Sequence, residues 1–333
     1  MNKHPLIEFL GRHPEYQRLR EALLKNEGAA AVFGLGEAHR AHMAAALFCD
    51  TGKTVVVVTA NEASAARIQE EASAYTPHAV HLPARDMPLA GRGIAASAGL
   101  TARRIKTLSG LLSGENALVV VSAAALLQRL TPPGALRAMT VDVHVGQTGD
   151  PQALLKQMVD AGYERVDVCE GRGQVCLRGG YLDVFPIAAE NPVRIEFFDT
   201  EIDTMRTYDA LSQRSIENVD SVMIPPAHEM PLTDAARARG LRALKKKPRL
   251  SEELAVLSAG GTPAGAELFM PLFYDDAFLQ DYLPEDALVL IDEPQRVEES
   301  AKVAHMEHLD AVSALLADGN AEPEQAELLG RPS

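Results

Sequence analysis

The chain has 333 residues, 47% hydrophobic and 23% charged, which excludes a disordered or low-complexity protein and predicts about two domains. Lys and Arg number 32 against 46 Asp and Glu, a net charge of −14, and Trp is absent, so neither wholesale wrapping of nucleic acid nor an aromatic platform for single strands is expected. Three cysteines (Cys49, Cys169, Cys176), no secretory h-region after Met1 and no apolar run near the ~20 residues of a membrane helix predict a reduced, cytoplasmic protein.

In chain order, Ala29–Phe33 reads as a short strand leading into a glycine-containing loop and a helix to about Cys49. Thr54–Thr59 is β-branched and apolar throughout, the pattern of a strand buried on both faces. Asn61 is placed to cap a helix reaching Tyr75, and a helix over Thr101–Leu112 precedes a second buried strand, Ala117–Val121. Short buried strands alternating with helices predict a parallel α/β sheet. Thr131-Pro132-Pro133-Gly134 breaks this pattern. Asp150-Pro151 then caps and opens a helix to about Ala161. Val175–Val184, Val193–Phe198 and Ile202–Tyr208 read as consecutive antiparallel strands, turned by Asn191-Pro192 and Asp199-Thr200, and the block ends near Pro225-Pro226. Leu232–Leu257 is helical in pattern with a break at Pro248, and Ala287–Ile291 reads again as a buried strand. A last amphipathic helix carries Val303, Met306, Val312 and Leu316. The expected architecture is a discontinuous α/β domain, residues 1–132 and 227–333, with a smaller α+β domain, 133–226, inserted into it.

The loop from Gly34 through Gly36 to Ala41 stands where a phosphate-cradling loop belongs. A working loop ends in Gly-Lys-Ser/Thr, the Lys meeting the phosphates and the hydroxyl holding Mg²⁺. Here those places fall to His39, Arg40 and Ala41, and Glu37 adds a carboxylate, so no nucleotide cofactor is expected. Gly52-Lys53-Thr54 opens a strand instead of a helix and is read as a turn. Asp292-Glu293, after the last strand, has the place of an Mg²⁺-positioning pair but no phosphate loop to serve, so it is read as a relic. The histidine pairs 39/42, 78/81 and 305/308 lack a third ligand, and no metal site is expected. Seven cations and no acid lie between Arg237 and Arg249; a solvated helix face outweighs a polyanion contact there. On the strand Val193–Phe198, alternation puts Arg194, Glu196 and Phe198 on one face, an arginine and an aromatic where a polar surface is expected. Arg178 precedes Gly179-Gly180, whose missing side chains leave it sterically clear.

Arg178 to Pro186, Pro192 to Asp199 and Asp209 to Ser215, closed by Pro225-Pro226-Ala227-His228-Glu229, resemble the inserted domain shared by the excision-repair helicase UvrB and the bacterial transcription-repair coupling factors. The flanking parts resemble a degenerate P-loop, helicase-like first domain, so the resemblance covers essentially the whole chain. Two departures favour the coupling factors: the incomplete phosphate loop, and a stretch Leu82–Leu100 without Tyr where UvrB carries a tyrosine-rich DNA hairpin. The resemblance implies an N-terminal, non-catalytic piece of a longer ATP-dependent translocase that recruits UvrA to transcription-coupled nucleotide-excision repair. The family's UvrA-contacting residues fall on Arg178, Arg194 and Phe198. Other domains of the longer protein would be partners too, with RNA polymerase and DNA engaged only by regions outside this chain. The rival readings are an ATP-driven DNA-remodelling domain, opposed by the missing Lys at position 40, and a DNA-binding module resting on Arg237 to Arg249. The resemblance, taken with the strand alternation, implies that loss of Arg194 or Phe198 weakens UvrA binding with little loss of stability.

Overall fold

Runs of consecutive β-branched residues build the first sheet, because a strand covered on both faces needs no polar alternation. The computed structural model describes residues 4–25, 28–87 and 98–332. It begins with α1 (Pro5–Leu10), α2 (Pro14–Leu24), α3 (Glu37–Thr51), β1 (Val55–Thr59), α4 (Glu62–Ser73) and β2 (Ala79–Leu82). Next come α5 (Ala98–Leu112), β3 (Leu118–Ser122), α6 (Ala123–Leu127), α7 (Pro133–Ala138), β4 (Val141–His144) and α8 (Pro151–Asp160). A run of strands follows: β5 (Glu164–Arg165), β6 (Gln174–Arg178), β7 (Tyr181–Phe185), β8 (Val193–Phe198), β9 (Glu201–Tyr208), β10 (Ser215–Asn218) and β11 (Ser221–Ile224). The chain ends through α9 (Asp234–Leu244), α10 (Ser251–Ser258), α11 (Met270–Phe273), β12 (Leu288–Ile291) and α12 (Pro294–Ala317). The fold is mixed α/β.

Two units emerge. Met1–Ala90, Gly110–Arg129 and Phe278–Ser333 form the first, and Gly91–Ser109 with Leu130–Ala277 the second. In the first, four parallel strands lie in the order β12-β1-β3-β2. Val55, Val57, Leu118 and Val120 pack on Ala44, Leu47 and Phe48 of α3 and on Ala65 and Ile68 of α4. Asn61 caps α4 as expected, accepting the Ser64 N–H at 2.9 Å. Three expectations fail here. Ala29–Phe33 forms no strand: β1 already has β3 and β12 on its two edges, and Phe33 is 89% exposed. The strand β12 forms, but as a sheet edge with Val289 and Ile291 half-exposed. Of the apolar residues expected to bury α12, Val312 does so, beside His308, while Val303 and Met306 face solvent.

In the second unit, β4 and β11 pair antiparallel, and a six-stranded sheet runs β10-β9-β8-β7-β6-β5. Its inner face, with Val175, Leu182, Val184, Val193, Ile195 and Met205, closes on Leu155 and Met158 of α8. Asp150 caps that helix by accepting the Gln152 N–H, and Pro151 fills its first turn. The single strand expected over Val175–Val184 is instead the hairpin β6–β7. Gly179 turns it with φ +55, a conformation that costs a glycine little. The return to the first unit comes at Phe278, later than residue 227, because α9 packs on α11: Gly240 lies against the Phe273 ring, where a Cβ would clash.

Candidate protein-interaction surface

The face of the six-stranded sheet turned away from α8 carries the residues singled out from the sequence. Cross-strand pairing fixes which side chains share it: Arg178 lies opposite Tyr181, and Tyr181 opposite Glu196. One pair further along, Cys176, Asp183, Arg194 and Arg206 line up across four strands. Phe198 continues the alternation of β8 onto this face and is 78% exposed. The ladder shifts by one residue opposite Glu196 and Phe197, with Asp203 as the extra residue on β9. The Phe197 N–H donates to Gly180 O at 2.8 Å, tying this end of β8 to the hairpin that carries Arg178. Four residues of strand put Arg194 and Phe198 ~13 Å apart, so they mark the two ends of a surface and not one tight cluster.

Arg194 is not the freely projecting side chain expected from alternation. Its Nε and Nη2 donate to the two Asp183 carboxylate oxygens at 2.7 and 2.8 Å, and Nη2 also reaches Gln213 Oε1 at 3.2 Å. The guanidinium lies over the rings of Tyr181 and Tyr208, 4.5 and 4.8 Å from their centroids. Asp183 is sealed from solvent and the Arg194 side chain is 15% exposed. Hydrogen bonding to Asp183 raises the guanidinium's already high pKa further, against the opposing effect of burial. Burial also raises the Tyr208 hydroxyl and drives the Cys169 thiol up to about 12, so neither ionises near neutral pH. Arg178 is exposed and stacks more loosely on Tyr181, at 5.7 Å. Beside it, Arg206 pairs with Glu196 at 2.6 Å.

Sequence reasoning missed Asp183, Tyr181, Tyr208 and Gln213. A signal existed for the first. Asp183 is a lone carboxylate in the apolar run Tyr181–Phe185, and such a charge is tolerated inside only when paired. Gln213 adopts φ +58 in the loop after β9, a position no periodicity reports.

In the first unit, the glycine loop does precede a helix: Gly36 caps α3, and Gly34 takes φ +81. His39 is exposed and Ala41 buried. Arg40 turns onto the acidic pair, donating from Nη1 to Asp292 and from Nη2 to Glu293, each at 2.8 Å. Glu293 also takes Arg296 at 2.6 Å, and Glu37 takes Arg67 at 2.8 Å. A cleft of about 330 Å³ lined by these six charged groups is therefore neutralised within itself. Arg296 first, and Arg40 after it, hold the Glu293 carboxyl below its ordinary range. Among the described residues no group of His, Cys, Asp or Glu suits a metal, and no helix is long and apolar enough to cross a membrane. Most of the tyrosine-free stretch Leu82–Leu100, residues 88–97, lies outside the described residues.

Residues 141–230 match the UvrB interaction domain. The chain is also similar to transcription-repair-coupling factors. That of Bacillus subtilis is 29% identical over 93% of this chain, that of Staphylococcus epidermidis 27% over 96%, and that of Escherichia coli 31% over 71%. These alignments cover 28%, 29% and 21% of the respective relatives, so the chain spans less than a third of their length.

Proposed function

We propose that this chain, which carries a UvrB interaction domain and matches transcription-repair-coupling factors along most of its length, is a recruitment module that binds UvrA and brings nucleotide-excision repair to stalled transcription. The observation that carries this reading is the outer face of the six-stranded sheet, inside the matched domain. There a large aromatic, Phe198, stands in solvent on the same face as Arg178 and Arg194. An exposed ring that shares a face with arginines is the composition that binding hot spots favour. UvrA would supply an apolar recess for Phe198 and acceptors for the guanidinium groups. RNA polymerase and DNA would be engaged by parts of a longer protein outside these residues.

The first unit fits a degenerate, helicase-like P-loop domain that does no chemistry. Its would-be phosphate-facing cation, Arg40, is committed to Asp292 and Glu293, and no Lys or Ser/Thr stands beside it. A triphosphate entering the cleft would have to break these pairs and approach three carboxylates, with Ala41 where a phosphate loop carries its metal-binding hydroxyl. The recruitment reading is tested by titrating purified UvrA into the chain and into Phe198→Ala. Saturable binding by the first, weakened at least tenfold in the second, is expected; equal affinities would refute this surface.

A further inference from the structure

Resting on the recruitment reading above, we infer that Asp183 is a positioning residue for partner recognition, acting through Arg194. A guanidinium has five N–H donors in a planar fork. In Arg194 the Nε–H and one Nη2–H are taken by the two Asp183 oxygens, and the second Nη2–H points to Gln213 Oε1. Nη1 has no acceptor among the described residues, yet it is not among the side-chain atoms sealed from water without a partner. The one unsatisfied edge of the group therefore faces solvent. Tyr181 and Tyr208 lie against the guanidinium plane, so it cannot swing to present another edge.

This arrangement specifies the chemistry of what binds. A carboxylate approaching in the usual two-pronged manner needs both Nη1 and Nη2, or Nη2 and Nε, and Asp183 with Gln213 already occupies all but Nη1. Arg194 is thus left with the two diverging N–H groups of Nη1, suited to separate acceptor oxygens, such as main-chain carbonyls or one oxygen of a carboxylate engaged elsewhere, and not to a fork across two nitrogens. Arg178, exposed, stacked more loosely on Tyr181 and in contact with the Cys176 thiol, has no carboxylate of its own among the described residues and is the arginine suited to a two-pronged carboxylate. Asp183 itself never touches the partner. It fixes where the donor points before the encounter, so the partner need not order a long flexible side chain on binding.

The test measures UvrA affinity in a cycle of Asp183→Asn, Arg194→Ala and the double variant, with Phe198→Ala alongside and each variant's fold checked by near-ultraviolet circular dichroism. The Asn side chain keeps the shape but turns an amide N–H₂ against the guanidinium, so a loss of about tenfold is expected, ~1.4 kcal/mol. In the Arg194→Ala background the same substitution should cost no further affinity, because the donor that Asp183 orients is gone, and Arg194→Lys, which keeps a cation opposite the buried carboxylate, separates loss of the oriented donor from the destabilisation that Arg194→Ala brings. Parent-like affinity of Asp183→Asn, or an equal further loss in the double variant, overturns the inference. If Phe198→Ala is impaired while Asp183→Asn is not, only the inference fails; if neither is impaired, the recruitment surface fails with it. Should Asp183→Asn not fold, Arg194→Lys carries the test. An ammonium cannot hold both Asp183 oxygens and still present a fixed outward donor, so at least a tenfold loss is expected and parent-like binding overturns the proposal.

Discussion

Replacing Arg194 by Ala strands Asp183. The carboxylate is fully buried, it loses two charge-assisted hydrogen bonds, and the remaining neighbours on its face include the Tyr181 and Tyr208 rings. Removing one partner of a buried ion pair costs about 3–5 kcal/mol. Because the Arg194 side chain is 15% exposed, its departure lets water reach the carboxylate, which points to the lower end, about 3 kcal/mol. For a domain of this size each kcal/mol lowers the melting temperature by about 2–4 °C, so the transition of the second unit should fall by about 6–12 °C in scanning calorimetry. Replacing both partners, as Asp183→Leu with Arg194→Met, should recover most of that loss, since an apolar pair needs no compensation. An Arg194→Ala transition indistinguishable from the parent's would refute the claim that the pair holds this face together. The expectation from strand alternation alone, that this variant would spare stability, is revised by the geometry. Weakened partner binding by Arg194→Ala then mixes two effects that Phe198→Ala keeps apart.

Phe198→Ala should change stability by no more than about 0.5 kcal/mol, as for an exposed side chain, and its denaturant midpoint checks this. Arg40→Ala should destabilise the first unit by about 1–3 kcal/mol through loss of hydrogen bonds to two carboxylates, yet leave UvrA binding unchanged; weakened binding would place part of the surface on the first unit. Calorimetric titration with Mg-ATP should show no saturable binding, and stoichiometric micromolar binding would restore a nucleotide role to the cleft. Burial holds His308 below its ordinary pKa, beside Gln325 O at 2.8 Å. The unfolded chain therefore takes up a proton near pH ~6.5 that the fold resists, and stability should fall as pH drops below that value. His308→Gln should flatten that slope, and an unchanged slope would refute the assignment.

What the sequence made legible was local. Asn61 and Asp150 announced their helices because a capping side chain and its target N–H lie within three residues. The strands β1 and β3 were readable because a central parallel strand is apolar at every position. Periodicity could not report which strands end up at an edge, and so Val289 and Ile291 read as core. Phe198 was legible as an exposed ring for the same reason that Arg194 was misread. Alternation tells which face a residue takes, but not whether a loop covers that face. At Arg194 the cover and the counter-charge come from the segment holding Gln213 and from Asp183 on the neighbouring strand, 19 and 11 positions away in the chain. Arg40 likewise looked like a failed phosphate ligand, and its pairing partners lie 252 and 253 residues downstream.

The most direct measurement is the affinity of purified UvrA for the intact chain and for Phe198→Ala, by calorimetric titration at one fixed salt concentration. The account predicts saturable one-site binding by the parent and a loss of roughly thirtyfold, about 2 kcal/mol, in a variant whose melting temperature is unchanged. Equal affinities in two equally folded proteins would contradict it.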